Sequence, residues 1–441
     1  MHIAFVAMSG VRAFKPELNA LGMTLPGFVE RGKVVASLPS LGLLTLAGMT
    51  PDRFEVSYHE IADIRAVDRL PDCDLAAISS FTAQVKDAYA LAARFCAAGA
   101  KTVIGGLHAT AMPAEALRHC DAVVVGEGEL SWHDVLRDAE AGTLRGVYGP
   151  RGREFDLANA PMPAYGLLDA ERYNRITVQT SRGCPWRCEF CASSILLTRK
   201  YKHKPVERVV AELREVKRIW DRPFIEFADD NAFVDKRRAK ELVRAVGREN
   251  IRWFTETDIS VADDPELLAS MRDAGCAQVL IGLESPTAAG IDGVETRRNW
   301  KRTRFERYKR AIATIQDHGV AVNGCFVLGL DGATRDEFAA VRDFVEESGL
   351  YDVQITVLTA FPGTPLYARL LADGRLLDPT GWETCTVFDV NVRPTGMTPE
   401  ELEAGFIDLA AQVYSAEAVR ARHDAFRSRL AAAPRRRQEA A

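Results

Sequence analysis

No apolar run in the 441-residue sequence approaches the roughly 18 residues that a membrane span requires, so a helical membrane protein is not expected. The amino terminus has no basic region followed by a cleavage site. Met1 to Phe5 begins at once as a strand-like apolar segment, which predicts a cytoplasmic rather than a secreted protein. A disulfide framework is missing too: nine cysteines without regular spacing in a chain this long fit a reducing compartment, where thiols stay free for metals. Positive charge is not in excess. The 56 Lys and Arg against 61 Asp and Glu leave a net charge of −5, which argues against nucleic acid as the main partner. What remains is an ordinary globular composition, 47 % hydrophobic and 27 % charged, with room for two or three domains.

Cys73, Cys96, Cys120, Cys276, Cys325 and Cys385 are scattered among apolar or helical segments and read as small buried hydrophobes. The other three cysteines stand close together, in Thr180-Ser181-Arg182-Gly183-Cys184-Pro185-Trp186-Arg187-Cys188-Glu189-Phe190-Cys191. Their Cys-x3-Cys-x2-Cys spacing follows a β-branched run, Ile176, Thr177 and Val178, so three thiolates are presented on one loop at a strand end. A tetrahedral zinc wants four ligands or three plus water, whereas a 4Fe-4S cluster held by three thiolates leaves one iron open. With the aromatic Phe190 before the last cysteine, the loop resembles the signature of the radical S-adenosylmethionine superfamily. That resemblance implies a [4Fe-4S] cluster on Cys184, Cys188 and Cys191. Its open iron would chelate S-adenosyl-L-methionine, and a flavodoxin- or ferredoxin-like electron donor would supply the reductant.

The first third alternates strand-like runs (3–7, 55–59, 75–79, 102–104, 122–125) with helical patterns (85–98, 130–139), which predicts a doubly wound parallel sheet. Ligands of such sheets sit beyond the carboxyl ends of the strands. There the chain places Ser79-Ser80-Phe81-Thr82, then Gly105-Gly106-Leu107-His108-Ala109-Thr110, then Gly126-Glu127-Gly128-Glu129, all rich in small residues that let backbone approach a phosphate tail or a large planar ring. These motifs, in this order ahead of the cysteine loop, resemble the Rossmann-like cobalamin-binding domain of many radical S-adenosylmethionine enzymes. The resemblance implies that Ser79, Ser80, Phe81, Thr82, Gly105, Gly106, His108, Gly126 and Glu127 bind cobalamin. The loop after the first strand, Met8 to Phe14, contains no histidine, so the lower face of the cobalt is expected to lack a protein nitrogen. Residues 9–40 form a long Pro- and Gly-containing insertion, expected either to line the upper cobalamin face or substrate entry or to pack as a surface excursion.

The domain is expected to span residues 1–145, with a Pro-spaced linker over 146–172. Six further strand-helix units over 173–367 predict an open, partial (β/α)6 barrel with its chemistry at the strands' carboxyl ends. Asp229-Asp230-Asn231, Glu256-Thr257-Asp258 and Gly282-Leu283-Glu284-Ser285 fall at successive ends, and carboxylates there need a cation or hydroxyls to meet. By resemblance Asp229 or Asp230 takes the cofactor's α-ammonium, Glu284 or Glu256 its ribose, and Phe190, Ser285 and Gly329 complete the site. Salt bridges are the plain alternative for each carboxylate. Phe361-Pro362-Gly363-Thr364-Pro365 resembles the family's exit turn. The basic run from Arg297 to Arg304, with Trp300 inside it, reads as a solvated loop. The run from Arg199 to Lys204 is placed better for substrate contact. A helical region over 368–430 is expected to close the barrel mouth, and the tail 431–441 to fray.

Together these resemblances imply a cobalamin-dependent radical S-adenosylmethionine enzyme that methylates an unactivated carbon of a small-molecule or natural-product substrate. A 5′-deoxyadenosyl radical would take hydrogen from that carbon, and methylcobalamin would supply the methyl group. Two other readings stay open: oxidation, cyclisation or ring rearrangement without methyl transfer, and a non-catalytic cobalamin or iron-sulfur sensor.

Overall fold

A computed structural model describes residues 1–10, 13–20, 38–198 and 200–432. Most of the insertion at 9–40, Arg199 and residues 433–441 lie outside the described residues. The first unit is a six-stranded, all-parallel sheet of β1 (His2–Met8), β2 (Glu55–Ile61), β3 (Leu75–Ser79), β4 (Lys101–Gly105), β5 (Ala122–Val124) and β6 (Gly146–Tyr148). Its spatial order is β2-β1-β3-β4-β5-β6. The period of two along β1 shows why both faces must be covered. Ile3, Phe5 and Ala7 enter one core with Trp132 and Leu136, while Ala4, Val6 and Met8 enter the other with Leu91 and Phe95. The strand β6 lies within the segment 146–172 that was expected to be linker; Val123 pairs with Val147, so this sheet runs further than turn residues alone suggest.

The second sheet contains β7 (Ile176–Val178), then β10 (Phe224–Phe227), β11 (Arg252–Thr257), β12 (Cys276–Glu284), β13 (Ala321–Leu328) and β14 (Asp352–Val357). All pairs are parallel, in the order β14-β13-β12-β11-β10-β7, so the six strands follow one another around an open barrel. The intervening β8 (Ser181–Arg182) and β9 (Lys202–His203) form a short antiparallel ribbon at the base of the cysteine loop. Helices cover the outside because their apolar residues recur on one face; Tyr308, Ile312 and Ile315 of Tyr308–Asp317 are an example.

Of the last two helices, Pro399–Val413 is fixed at its start by a capping box between Thr398 and Glu401. Leu402, Phe406 and Leu409 join the barrel core, and Tyr414 accepts the Ile355 N–H at 2.9 Å, covering the edge strand β14. Toward the mouth, Leu366 together with Leu370 and Val392 of the 368–430 region packs with Cys188, Leu330 and Leu358. Of the scattered cysteines, Cys276 and Cys385 are buried and Cys96 is exposed.

Candidate active site

The cysteine loop is held from below by two aspartates. Asp229 is buried and accepts the backbone N–H of Thr180 at 2.7 Å and of Ser181 at 2.8 Å, together with the Thr180 hydroxyl. Burial pushes its carboxyl up to about 6, against the pull of those hydrogen bonds. With its oxygens engaged in this way, Asp229 anchors the loop and is not left free for an ammonium, as its place at a strand end suggested. Asp230 accepts the Gly183 N–H at 2.7 Å and the Ser193 hydroxyl, bracketing the three cysteines from both sides.

All three thiols are free. Burial raises each: Cys184 to about 11, and Cys188 and Cys191 also upward. Metal binding must displace those protons. The surroundings suit thiolates. The Ser194 hydroxyl donates to Cys191 Sγ at 3.1 Å, Asn231 Nδ2 lies 3.8 Å from Cys184 Sγ, and the Lys301 ammonium offsets burial at Cys188. Among the described residues no three His, Cys, Asp or Glu side chains converge on a single-ion site. Three soft thiolates presented on one loop suit a cluster that leaves one iron open. Phe190 packs against the hydrophobic cluster around Cys188.

Glu226, Glu256 and Glu284 come from three neighbouring strands of the barrel. Glu226 pairs with Arg175 at 2.5 Å and Glu284 with Lys301 at 2.7 Å. Glu284 adopts a left-handed φ of 66° at a bulge in β12, a strain expected where a side chain must be aimed. A Cβ on Gly282 would lie 2.4 Å from Glu284 Oε1, so only glycine lets this pair fold back over the strand. Ser285 is buried, and its hydroxyl accepts the Thr287 N–H. The Glu256 side chain has no hydrogen-bond or ion-pair partner among the described residues. Solvent touches it through the mouth, yet desolvation by the enclosing protein, then the charges of Glu226, Asp230, Asp229 and Glu284, push its carboxyl up to about 8. It is the acceptor left without a cation, and so fits the ammonium or hydroxyls of S-adenosylmethionine. Gly329 is placed otherwise than expected. With φ 79°, its N–H bonds Glu337 at 3.0 Å and its Cα side faces Leu402 of the helix Pro399–Val413, where a Cβ would come within 2.7 Å.

Lys301 escaped the sequence reading, which grouped it with a solvated basic run. It is 8 % exposed and lies on the inward stripe of its helical segment, seven residues before the buried Tyr308. Extending the 301-308-312-315 periodicity toward the amino terminus would have found it.

At the carboxyl edge of the first sheet, Ser79 lies beside Gly105 and Ser80 packs against Gly106. Gly106 has φ 109°, and a Cβ there would meet Ser80 O at 3.2 Å and Ser79 Oγ at 3.3 Å. Phe81 is 54 % exposed next to this low edge, Thr82 is buried, and Gly126 is fixed by its N–H to the Thr110 hydroxyl at 2.9 Å. An exposed ring beside a flat run of small residues fits a broad planar ligand such as a corrin. Two expected contacts do not face it. His108 is 1 % exposed, turned toward Glu115 and Trp382, and burial lowers its basicity. Glu127 is taken by Arg182 at 2.9 Å, by Lys202 at 2.8 Å and by the Phe155 N–H at 3.2 Å.

These last contacts bring the two sheets together. Arg182 and Lys202 flank the cysteine loop, whereas Glu127 and Glu129 follow β5; Arg182 reaches Glu129 at 2.7 Å. A second joint lies at Gly363, φ 80°, where a Cβ would come 2.8 Å from Leu196 and 3.0 Å from Ala111. The exit turn, the helix after the last cysteine and the helix after the Gly-Gly loop therefore meet at one point. Thr364 then caps Pro365–Ala372 by accepting the Tyr367 N–H.

Two parallel α/β units with facing carboxyl edges, one bearing a three-thiolate loop and the other a glycine-lined edge, define an enzyme built around two cofactors. Residues 178–345 match the radical SAM superfamily model and residues 29–136 the B12 binding domain model; residues 364–441 match a domain of unknown function, DUF4070. The chain therefore carries a radical SAM domain with a B12-binding domain ahead of it. Its relatives include the bacteriochlorophyllide d C-12(1)-methyltransferase of Chlorobaculum tepidum, 26 % identical over 401 residues, which span 89 % of this chain and 85 % of that protein. The hopanoid C-2 methylase of Rhodopseudomonas palustris is 27 % identical over 409 residues, spanning 89 % and 74 %. In fold, the chain is similar to the radical S-adenosylmethionine methyltransferase TsrM of Kitasatospora setae, solved with cobalamin and a [4Fe-4S] cluster. The TM-score is 0.65 at 14 % identity, over 94 % of this chain and 89 % of that one.

Proposed function

We propose that this protein is a cobalamin-dependent radical S-adenosylmethionine methyltransferase acting on an unactivated carbon of a small molecule. The observation that carries the reading is the junction: ion pairs and the Gly363 contact fasten the cysteine loop to the glycine-lined edge of the first sheet. The related enzymes are named for bacteriochlorophyllide and hopanoid, and we extend this to a carbon-rich substrate here. The cluster supplies the electron that cleaves S-adenosylmethionine, and the corrin supplies the methyl group. The chain's own work is positional. Cys184, Cys188 and Cys191 hold the cluster, and Asp229 and Asp230 fix the loop that presents them. Glu256 receives the cationic cofactor, with the Glu284–Lys301 pair beside it. Ser79, Ser80, Phe81, Gly105, Gly106 and Gly126 form the corrin floor. The reductant is a flavodoxin- or ferredoxin-like carrier, and the setting is a reducing cytoplasm.

Anaerobic reconstitution with iron, sulfide and cobalamin, followed by incubation with dithionite and carbon-rich metabolites, tests the reading. The expected outcome is a methylated product with about equal amounts of 5′-deoxyadenosine and S-adenosylhomocysteine, one of each per turnover. 5′-Deoxyadenosine alone would mean radical chemistry without methylation. Full activity in the Cys184→Ala/Cys188→Ala/Cys191→Ala protein would refute the mechanism.

A further inference from the structure

The basic segment before the helix at Trp300 is stitched onto the cysteine loop, although the joined residues stand 109 positions apart. Glu189 N–H donates to Val294 O at 3.1 Å, and both the N–H and hydroxyl of Thr296 donate to Arg187 O at 3.0 Å. The Glu295 carboxylate then accepts four backbone N–H groups: Arg187 at 3.2 Å, Arg297 at 3.0 Å, Arg298 at 2.8 Å and Trp300 at 3.3 Å. One buried carboxylate thus gathers three arginine-bearing backbone positions beside Cys188. The Arg187, Arg297 and Arg298 side chains are exposed, and none of them forms an ion pair among the described residues. Nearby Arg304 and Arg307, in contrast, share Asp263.

The same segment carries one of two stacked indoles. Trp186, between the first and second cysteines, packs on Trp300 with ring centroids 4.4 Å apart and planes 21° from parallel. Arg304 lies over Trp300 at 5.6 Å, and Trp186 Nε1 is fixed by Asp258 at 3.0 Å. Arg304, Trp300 and Trp186 thus stand in line with the cysteine loop, of which Trp186 is a part.

We infer that this face is the docking surface for an acidic one-electron carrier protein that reduces the cluster. The inference rests on the reading that the three cysteines hold a redox cluster. The chain carries a net charge of −5, so a knot of arginines without ion pairs among the described residues, beside the cysteine loop, is a local reversal of sign. Such a patch steers a partner of opposite charge. Electron-transfer complexes are small and transient, so a few guanidinium groups around a conducting aromatic path are enough. Each cleavage of S-adenosylmethionine consumes one electron at the cluster, delivered from outside the chain without a proton or bond change on the docking residues.

The test compares two reductants on the full, reconstituted chain and reads 5′-deoxyadenosine formation. In Arg297→Glu/Arg298→Glu, the rate with dithionite should stay within about twofold of wild type, while kcat/KM for photoreduced flavodoxin falls about tenfold or more. Raising salt should slow the flavodoxin-driven reaction of wild type and affect the variant less, since these charges are screened over about 10 Å at 0.1 M. An unchanged flavodoxin rate overturns the inference, as does an equal fall with both reductants in protein that keeps its cluster absorption. If the charge-reversed protein loses its cluster, the milder Arg297→Gln/Arg298→Gln protein decides by the same comparison. Failure of wild type to form 5′-deoxyadenosine with dithionite would count against the enzyme reading instead.

Discussion

Glu256 shows what the barrel mouth demands of a single residue. Glu256 is exposed to solvent, yet its carboxyl rises from the ordinary 4.5 to about 8, through desolvation by the surrounding protein and the charges of four other carboxylates. A group whose proton is held more tightly in the folded than in the unfolded chain makes folding less favourable as pH rises. The penalty begins near 4.5, where the unfolded carboxyl ionises, and is complete above 8. Glu256→Gln, which keeps the neutral shape, should therefore melt at a higher temperature than wild type at pH 8.5, with the difference closing toward pH 5. Thermal melts of cofactor-free protein across that range check this; a difference independent of pH would show that the charge is not the cause. Addition of S-adenosylmethionine should raise the wild-type melting temperature at pH 8.5 more than that of the variant, because the cation removes the same penalty.

The cysteine loop depends on Asp229 as an element depends on its cap. Asp229→Ala would leave the buried N–H groups of Thr180 and Ser181 without acceptors, at about 1–3 kcal/mol each. The expected loss is about 2–5 kcal/mol in denaturant unfolding, together with weakened absorption near 400 nm after reconstitution. Asp229→Asn, which keeps one acceptor oxygen, should fall between. A variant with normal stability and a full cluster would show that the loop stands without this anchor. Strands and helices were largely legible in the sequence, because runs such as Ile3–Ala7 and Ala321–Leu328 are apolar on both faces and so mark buried parallel strands. The three-residue β6 and the helices Leu41–Gly48 and Pro365–Ala372 were not: each is short, and packing against the rest of the fold defines it. In the site, the cysteine spacing and the strand-end carboxylates could be located from sequence, but their division of labour could not. Asp229 and Glu256 look alike in the chain and differ only in whether backbone N–H groups reach them. The partnerships of Glu295 with the arginine segment and of Lys301 with Glu284 join distant or wrongly grouped residues that no local pattern links.

At the scale of the whole molecule, the two units are registered by a nearly closed ionic cluster. Glu127 and Glu129 face Arg182 and Lys202, all four side chains at most 14 % exposed. Burial alone would make the Arg182 guanidinium easier to deprotonate, but Glu129 and Glu127 hold it firmly charged. Such a group balances two charges of each sign, and removing one leaves a buried cation uncompensated, at a cost of about 3–5 kcal/mol. The structure can lower that cost by opening the joint. Opening it would shift the cysteine loop, where a radical is generated, relative to the glycine-lined edge, from which the methyl group comes. Displacements of about 1 Å can cost about a hundredfold when two reacting centres must align. Glu127→Gln should therefore act unequally on the two halves of the reaction. Cleavage of S-adenosylmethionine needs only the barrel and its cluster, so 5′-deoxyadenosine formation should persist. Methyl transfer needs both units in register, so S-adenosylhomocysteine and methylated product should fall well below it. Measuring both nucleosides from one incubation gives the ratio directly, and that ratio does not depend on how much protein is folded. If it stays at the wild-type value, whether or not both rates decline, the ion pairs hold the domains together without setting their register.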